Sequence, residues 1–332
     1  CINAASRSGL GVSRFVSLGN QRDVCAADVL FDLVEHSSTK VVALYLETFG
    51  DGRRLVEAVQ ALRDAGKHTV VLTVGASEAS SNAARSHTGS MTSGVDVVDA
   101  ACRAAGTARV TSPWELVDVA RVLSGVVVPH GRRVAVVGDS GGQGAIAADL
   151  LHAQGMVVPP LGAPTQAGLA ASLPYTAAVG NPIDLGGGGA LSVDNYVTIV
   201  EASARSGDVD AVLLTGYFGA YAGDGIELSD ELAAARRMAE VARATGVAVV
   251  VHCQVEGAPA LDELHAQGVA TYPSIERATR AVGAATRIAT TSPRRLSQVG
   301  GAEAGVDSSY WAARAALGAR GVRFPAAALL GP

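Results

Sequence analysis

The chain has 332 residues, 48% hydrophobic and 17% charged, enough for two ordinary globular domains with full cores. A net charge of −5 without a basic cluster argues against nucleic acid, and 4% aromatic residues offer few stacking platforms. The four cysteines, Cys1, Cys25, Cys102 and Cys253, stand far apart, so no metal site or disulfide framework is expected and a reducing cytoplasm is the simplest setting. No run reads as a membrane span or a signal peptide. The chain opens on Cys1 rather than Met, and a piece of a longer protein is the expectation.

In chain order, Gly19-Asn20-Gln21-Arg22-Asp23-Val24 precedes a helical periodicity over 27–35. A Val/Leu/Tyr run at 40–47 reads as a buried parallel strand. A helix over 53–65 should stop at Gly66, and a second strand follows at 69–75. Next come a loop of small and hydroxylated residues holding Ser86-His87-Thr88-Gly89, a helix at 95–105, a short strand at 109–110, and a helix started by Ser112-Pro113.

Residues 126–133 cross into a second unit that repeats the first. Gly180-Asn181-Pro182-Ile183-Asp184-Leu185 echoes residues 19–24 as G-N-x-x-D-[V/L]. It too is followed by helix (193–206), strand (211–215), helix (229–244) and strand (247–253), with a last helix at 274–287. Such alternation makes parallel sheets with helices on both faces. The expected class is therefore α/β, with two flavodoxin-like domains at 1–126 and 130–288. Residues 289–332 are read as a linker, a helix at 310–320, and either the start of a further domain or a helix packing back. The second copy begins with a strand (133–138) and a glycine loop before its G-N motif. The first has no room for these, so the chain is expected to start inside a domain.

Two loops carry chemistry. Asp139-Ser140-Gly141-Gly142-Gln143-Gly144 lies between strand and helix, where glycine N–H groups and the helix dipole favour an anion. It is neither a P-loop nor a good dinucleotide fingerprint, and a tight turn without ligand is the bland alternative. His87 follows the strand at 69–75, on the sheet edge where open α/β folds bind ligands. A lone histidine in such a loop is more often a surface residue. Glu47, ending the neighbouring strand, could hold the ring by one nitrogen and leave the other free to attack, or could merely cap the next turn with Asp51. His36, His68 and His130 read as turn residues and His152 and His265 as helix-surface residues. His252, ending a strand, is the one rival to His87.

Phe15-Val16-Ser17-Leu18-Gly19-Asn20 with Asp23-Val24, Tyr45-Leu46-Glu47, Ala84-Arg85-Ser86-His87-Thr88-Gly89, Ser140-Gly141-Gly142 and Gly180-Asn181-Pro182-Ile183-Asp184-Leu185 occur in one order. Together they resemble the NDP-forming acyl-CoA synthetases, the superfamily of succinyl-CoA synthetase and ADP-forming acetyl-CoA synthetase. The resemblance implies a relay. Acyl-CoA and phosphate give an acyl phosphate and CoA, an active-site histidine takes the phosphoryl group, and ADP or GDP receives it at an ATP-grasp site. His87 then matches the phosphorylated histidine and Glu47 the glutamate that orients it. Ser140, Gly141 and Gly142, with Thr88 and Gly89, would bind phosphate. CoA, ATP/ADP and Mg²⁺ are the implied cofactors. Their contacts are expected mostly in a CoA-binding Rossmann domain upstream and an ATP-grasp domain, in cis or as a separate subunit of an oligomer. The chain alone is then expected to be inactive. Competing readings are the synthetase-like part of a protein acetyltransferase, a non-catalytic regulatory subunit, and a flavodoxin-like electron carrier, which the scarcity of aromatics disfavours. A loop at 219–225, with Tyr217, Phe218 and Tyr221, reads as an ordinary strand-end loop or, less favoured, as the lining of an acyl pocket.

Overall fold

The computed structural model describes residues 2–7, 9–75, 77, 79–80, 94–222, 225–294 and 310–325. Residues 1–294 form one compact unit and 295–332 a second. In the second unit, helix Tyr310–Gly318 places Arg314 over the rings of Trp311 and Phe324.

Within residues 1–294 two parallel sheets alternate with helical layers. The first sheet runs β1 (Val41–Leu46), β2 (His68–Thr73), β3 (Ala108–Val110), all parallel. The second is built from β4 (Val134–Gly138), β5 (Ile183–Asp184), β6 (Ala211–Gly216), β7 (Ala248–Cys253) and β8 (Ala270–Tyr272). Its spatial order, β5-β4-β6-β7-β8, is the 2-1-3-4-5 arrangement of flavodoxin-like folds. The expected α/β class with helices on both sheet faces is what the chain adopts.

Period-two alternation decides which helices each face receives. Val134 and Val136 of β4, Ala211 and Leu213 of β6, and Ala248 and Val250 of β7 share a core with Val70 and Leu72 of β2. The helices of that core include α5 (Pro113–Leu123), α6 (Gly141–Ala153) and α12 (Ile275–Thr290), so one helical layer serves both sheets. The opposite-facing residues Ala135, Val137, Val212, Leu214, Val249 and Val251 pack on α9 (Asp194–Arg205), α10 (Leu228–Thr245) and α11 (Pro259–Ala266). Beyond the first sheet, α2 (Ala26–Val34) and α3 (Gly52–Asp64) cover Val42 and Leu46.

Asp118 of α5, 3% exposed, takes two hydrogen bonds from Arg277 of α12 at 2.6 and 2.8 Å, and that guanidinium lies 5.1 Å from the Trp114 ring centre. Arg121 of α5 donates to the Thr271 carbonyl and to His265 Nδ1, 3.0 Å away. These bonds fix the shared layer to the second sheet.

Local signals explain most boundaries. Asp51 caps α3 by accepting from Arg54 N–H, and Gly66 follows it with φ +76°. Ser112 caps α5 with Pro113 first in the helix. Two histidine expectations need correction. His68 is not in a turn but opens β2 opposite Val41. His265 is not a free surface residue: it is wedged between Arg121 and Thr271.

Candidate functional site

Ser140, Gly141 and Gly142 lie at the carboxyl end of β4, where α6 begins. β4 and β6 are neighbours, and the chain leaves β4 toward β5 on its other side, so this is the switch point of the sheet, the place where such folds bind ligands. Helix α6 has thirteen residues, no acidic residue in its first turn, and an N-cap serine whose side chain makes no cap bond. Its first N–H groups are therefore left to solvent or ligand.

The glycines divide by task. A Cβ on Gly141 would come within 2.9 Å of Asp184 Oδ2, and one on Gly144 within 3.0 Å of Pro182 Cβ. Both let the helix start lie against the 181–184 segment. A Cβ on Gly142 would meet nothing closer than Ser140 Oγ at 4.0 Å, so its bareness keeps the outer face of the loop open.

The G-N-P-I-D segment has a structural task that its sequence did not announce. Asn181 Oδ1 accepts from Val136 N–H at 2.9 Å, and Asn181 Nδ2 donates to the Val134 and Pro159 carbonyls at 2.8 Å each. The two-residue β5 reaches only Val137 and Gly138, and the asparagine amide extends the ladder beside β4.

Two carboxylates organise the loops of this edge, and neither was foreseen. Asp139 accepts from Gly187 N–H (2.6 Å), Gly189 N–H (3.2 Å) and Tyr221 Oη–H (2.8 Å), so it joins the loops after β4, β5 and β6. Tyr196 Oη then donates to Tyr221 Oη across 3.0 Å. Burial first pushes both phenols above their ordinary range, helped at Tyr196 by the neighbouring Tyr221 and at Tyr221 by Asp139. Glu231, wholly buried, accepts from the N–H groups of Gly219 (3.2 Å), Tyr221 (2.9 Å) and Ala222 (3.2 Å). It turns Phe218 and Tyr221 into the core and leaves Tyr217 outside, so the aromatic loop is filled by its own side chains.

A third polar chain crosses the edge. Gln143 in the first turn of α6 faces Thr215 of β6, which touches His252 of β7. Burial lowers the pKa of His252, which is neutral at physiological pH.

On the first sheet, Glu47 follows β1 directly and is half-buried, with no side-chain hydrogen bond or ion pair among the described residues. Asp51 alone caps the helix that follows. Leu46 pairs with Thr73, which places Glu47 beside the exit of β2, the strand that leads into the histidine loop. His87, Thr88 and Gly89 themselves lie outside the described residues. Among the described residues no group of three or more His, Cys, Asp or Glu is placed to hold a metal ion, and no helix is long and apolar enough to cross a membrane.

Residues 1–123 match the family described as "Succinyl-CoA ligase like flavodoxin domain". Over these residues the chain resembles the flavodoxin-like domain of succinyl-CoA ligases. It is 34% identical over 179 residues to the alpha subunit of acetate–CoA ligase [ADP-forming] II of Pyrococcus furiosus, covering 54% of this chain and 39% of that one. To the alpha subunit of acetate–CoA ligase [ADP-forming] I of the same organism it is 28% identical over 275 residues, 83% of this chain and 58% of the relative. Among solved structures, the Ca. Korarchaeum cryptofilum dinucleotide forming acetyl-coenzyme A synthetase 1, in complex with phosphate and ADP, matches with a TM-score of 0.73 and 26% identity over 86% of this chain and 61% of that one. The chain thus spans less than two thirds of the length of these synthetase relatives.

Proposed function

We propose that this chain supplies the phosphoryl-transfer segment of an ADP- or GDP-forming acid–CoA ligase. The full protein would interconvert acyl-CoA, nucleoside diphosphate and phosphate with acid, CoA and nucleoside triphosphate. Phosphate attacks the acyl thioester to give an acyl phosphate and free CoA. His87 then attacks phosphorus, releasing the acid and becoming phosphohistidine, and the nucleotide finally accepts the phosphoryl group. The observation that carries the reading is the uncapped start of α6 at the switch point of the second sheet, in a chain with this family match. Ser140, Gly141 and Gly142 hold the phosphoryl oxygens there by N–H groups and the helix dipole, which act without any protonation change. Thr88 and Gly89 add donors beside the histidine. Glu47 accepts a hydrogen bond from one N–H of the His87 ring and so aims the other nitrogen at phosphorus. CoA provides the thiol and the nucleotide the final acceptor. Their binding residues, and those for Mg²⁺, belong to a CoA-binding domain and an ATP-grasp domain or subunit. The alpha-subunit relatives support the arrangement with a separate subunit.

The test supplies the chain with the ATP-binding subunit of such a ligase, Mg²⁺ and γ-labelled ATP. Acid-labile, alkali-stable label is expected on the wild type and absent from His87→Asn, and CoA with a cognate acid should discharge it. Glu47→Gln should label more slowly. Equal labelling of wild type and His87→Asn overturns the proposal.

A further inference from the structure

Glu47 opens the turn, residues 47–51, that joins β1 to α3. Its two ends are secured. Leu46 pairs with Thr73 before it, and Asp51 caps α3 after it. The middle has few ties of its own. Among the described residues, Thr48, Phe49 and Gly50 make no backbone-to-backbone hydrogen bond. Gly50 N–H reaches the hydroxyl of Thr48, 3.4 Å away on the exposed side. Gly50 itself has φ +56°, which glycine adopts without strain.

The inward anchor of this turn is the Phe49 ring. It packs on the core that α3 shares with β1, and also on Val71 of β2 and on Val98 and Cys102 of α4 (Val95–Ala105). Helix α4 is the one that follows the histidine segment in the chain. Phe49 therefore touches both the helix after Glu47 and the helix after His87. A void of about 10 Å³ remains among Phe49, Leu55, Val56, Ala101 and Cys102, no more than one water needs. No other side chain competes for the seat.

We infer that Phe49 is a positioning residue for the phosphoryl transfer: its ring, seated between α3 and α4, fixes the turn that carries Glu47. The inference rests on reading Glu47 as the carboxylate that orients His87. Such a carboxylate must be held to within about 0.5 Å, and a turn without backbone bonds does not supply that by itself. The ring touches no reacting atom and acts through Glu47.

The test measures the initial rate at which the chain, with the ATP-binding subunit of such a ligase, Mg²⁺ and γ-labelled ATP, takes acid-labile label. Phe49→Ala empties the seat and should slow labelling about tenfold. Phe49→Leu refills much of it and should restore most of the rate. In a Glu47→Gln background Phe49→Ala should slow labelling by no more than about twofold further, because the group it positions is already gone. Melting temperatures show that each variant is folded at the assay temperature, and Phe49→Val carries the same comparison if Phe49→Ala does not fold. A merely structural role would slow both backgrounds alike. Wild-type labelling by Phe49→Ala, equal slowing in both backgrounds, or a Phe49→Leu no faster than Phe49→Ala overturns the inference and leaves the phosphohistidine reading standing. Equal labelling of wild type and His87→Asn, or no label on either, removes that reading and the inference with it.

Discussion

His265 sits where its own charge is unwelcome. Arg121 can only donate, so His265 Nδ1 accepts from it at 3.0 Å, and His265 Nε2 must carry the proton given to Thr271. Burial first, and Arg121 after it, bring its pKa from 6.5 down to about 4. The unfolded chain takes up this proton near 6.5 and the folded chain only near 4. Between those values the unfolded state binds more protons, so this residue's contribution is fully present above pH 6.5 and is lost as pH falls toward 4. His265→Gln, which stays neutral, should lose less stability than wild type over that interval. Urea melts at pH 7.5, 6, 5 and 4 read the difference, and parallel curves would refute it. No local pattern could show this, because Arg121 lies far from His265 in sequence.

At the scale of elements, the same motif carries two different costs. Asn181 satisfies one N–H and two carbonyls beside β4, so Asn181→Ala should lose about 1–3 kcal/mol. Asn20 opens the matching segment of the first unit but is exposed, and Asn20→Ala should stay within about 0.5 kcal/mol. Denaturant melts of the two variants settle the comparison; equal losses would contradict it. The motif was legible and its task was not, since that task depends on how short β5 is. The strands β4, β6 and β7 were readable because parallel strands buried on both faces are continuously apolar. β5 and β8, two and three residues long, give no run to count. The helices Ala163–Ser172 and Pro259–Ala266 went unread for a related reason: each buries few residues, so the apolar stripe is faint. In the site, Ser140-Gly141-Gly142 announced itself by composition. Asp139, Glu231 and the Gln143–Thr215–His252 chain did not, because each is defined by partners on other strands.

Over the whole molecule, α5 and α12 join the two sheets, and Asp118–Arg277 is their central ion pair. Asp118→Asn should cost about 3 kcal/mol, because the guanidinium stays half-buried without its charge partner. The loss should appear as one earlier transition for both sheets. Far-ultraviolet circular dichroism and Trp114 fluorescence, in a Trp311→Phe background, should share a midpoint, and two separated midpoints would show the sheets melting independently. The shared layer also bears on how such a gene can be rearranged. The family match ends at residue 123, the last residue of α5, just before the chain crosses to the second sheet. That seam divides the text of the protein without dividing its interior. A recombination event that moved one half alone would carry Val70, Leu72 and Val110 into water on one side and Ala281, Val282 and Ala285 on the other. Cutting at that seam would leave each half with an uncovered apolar face.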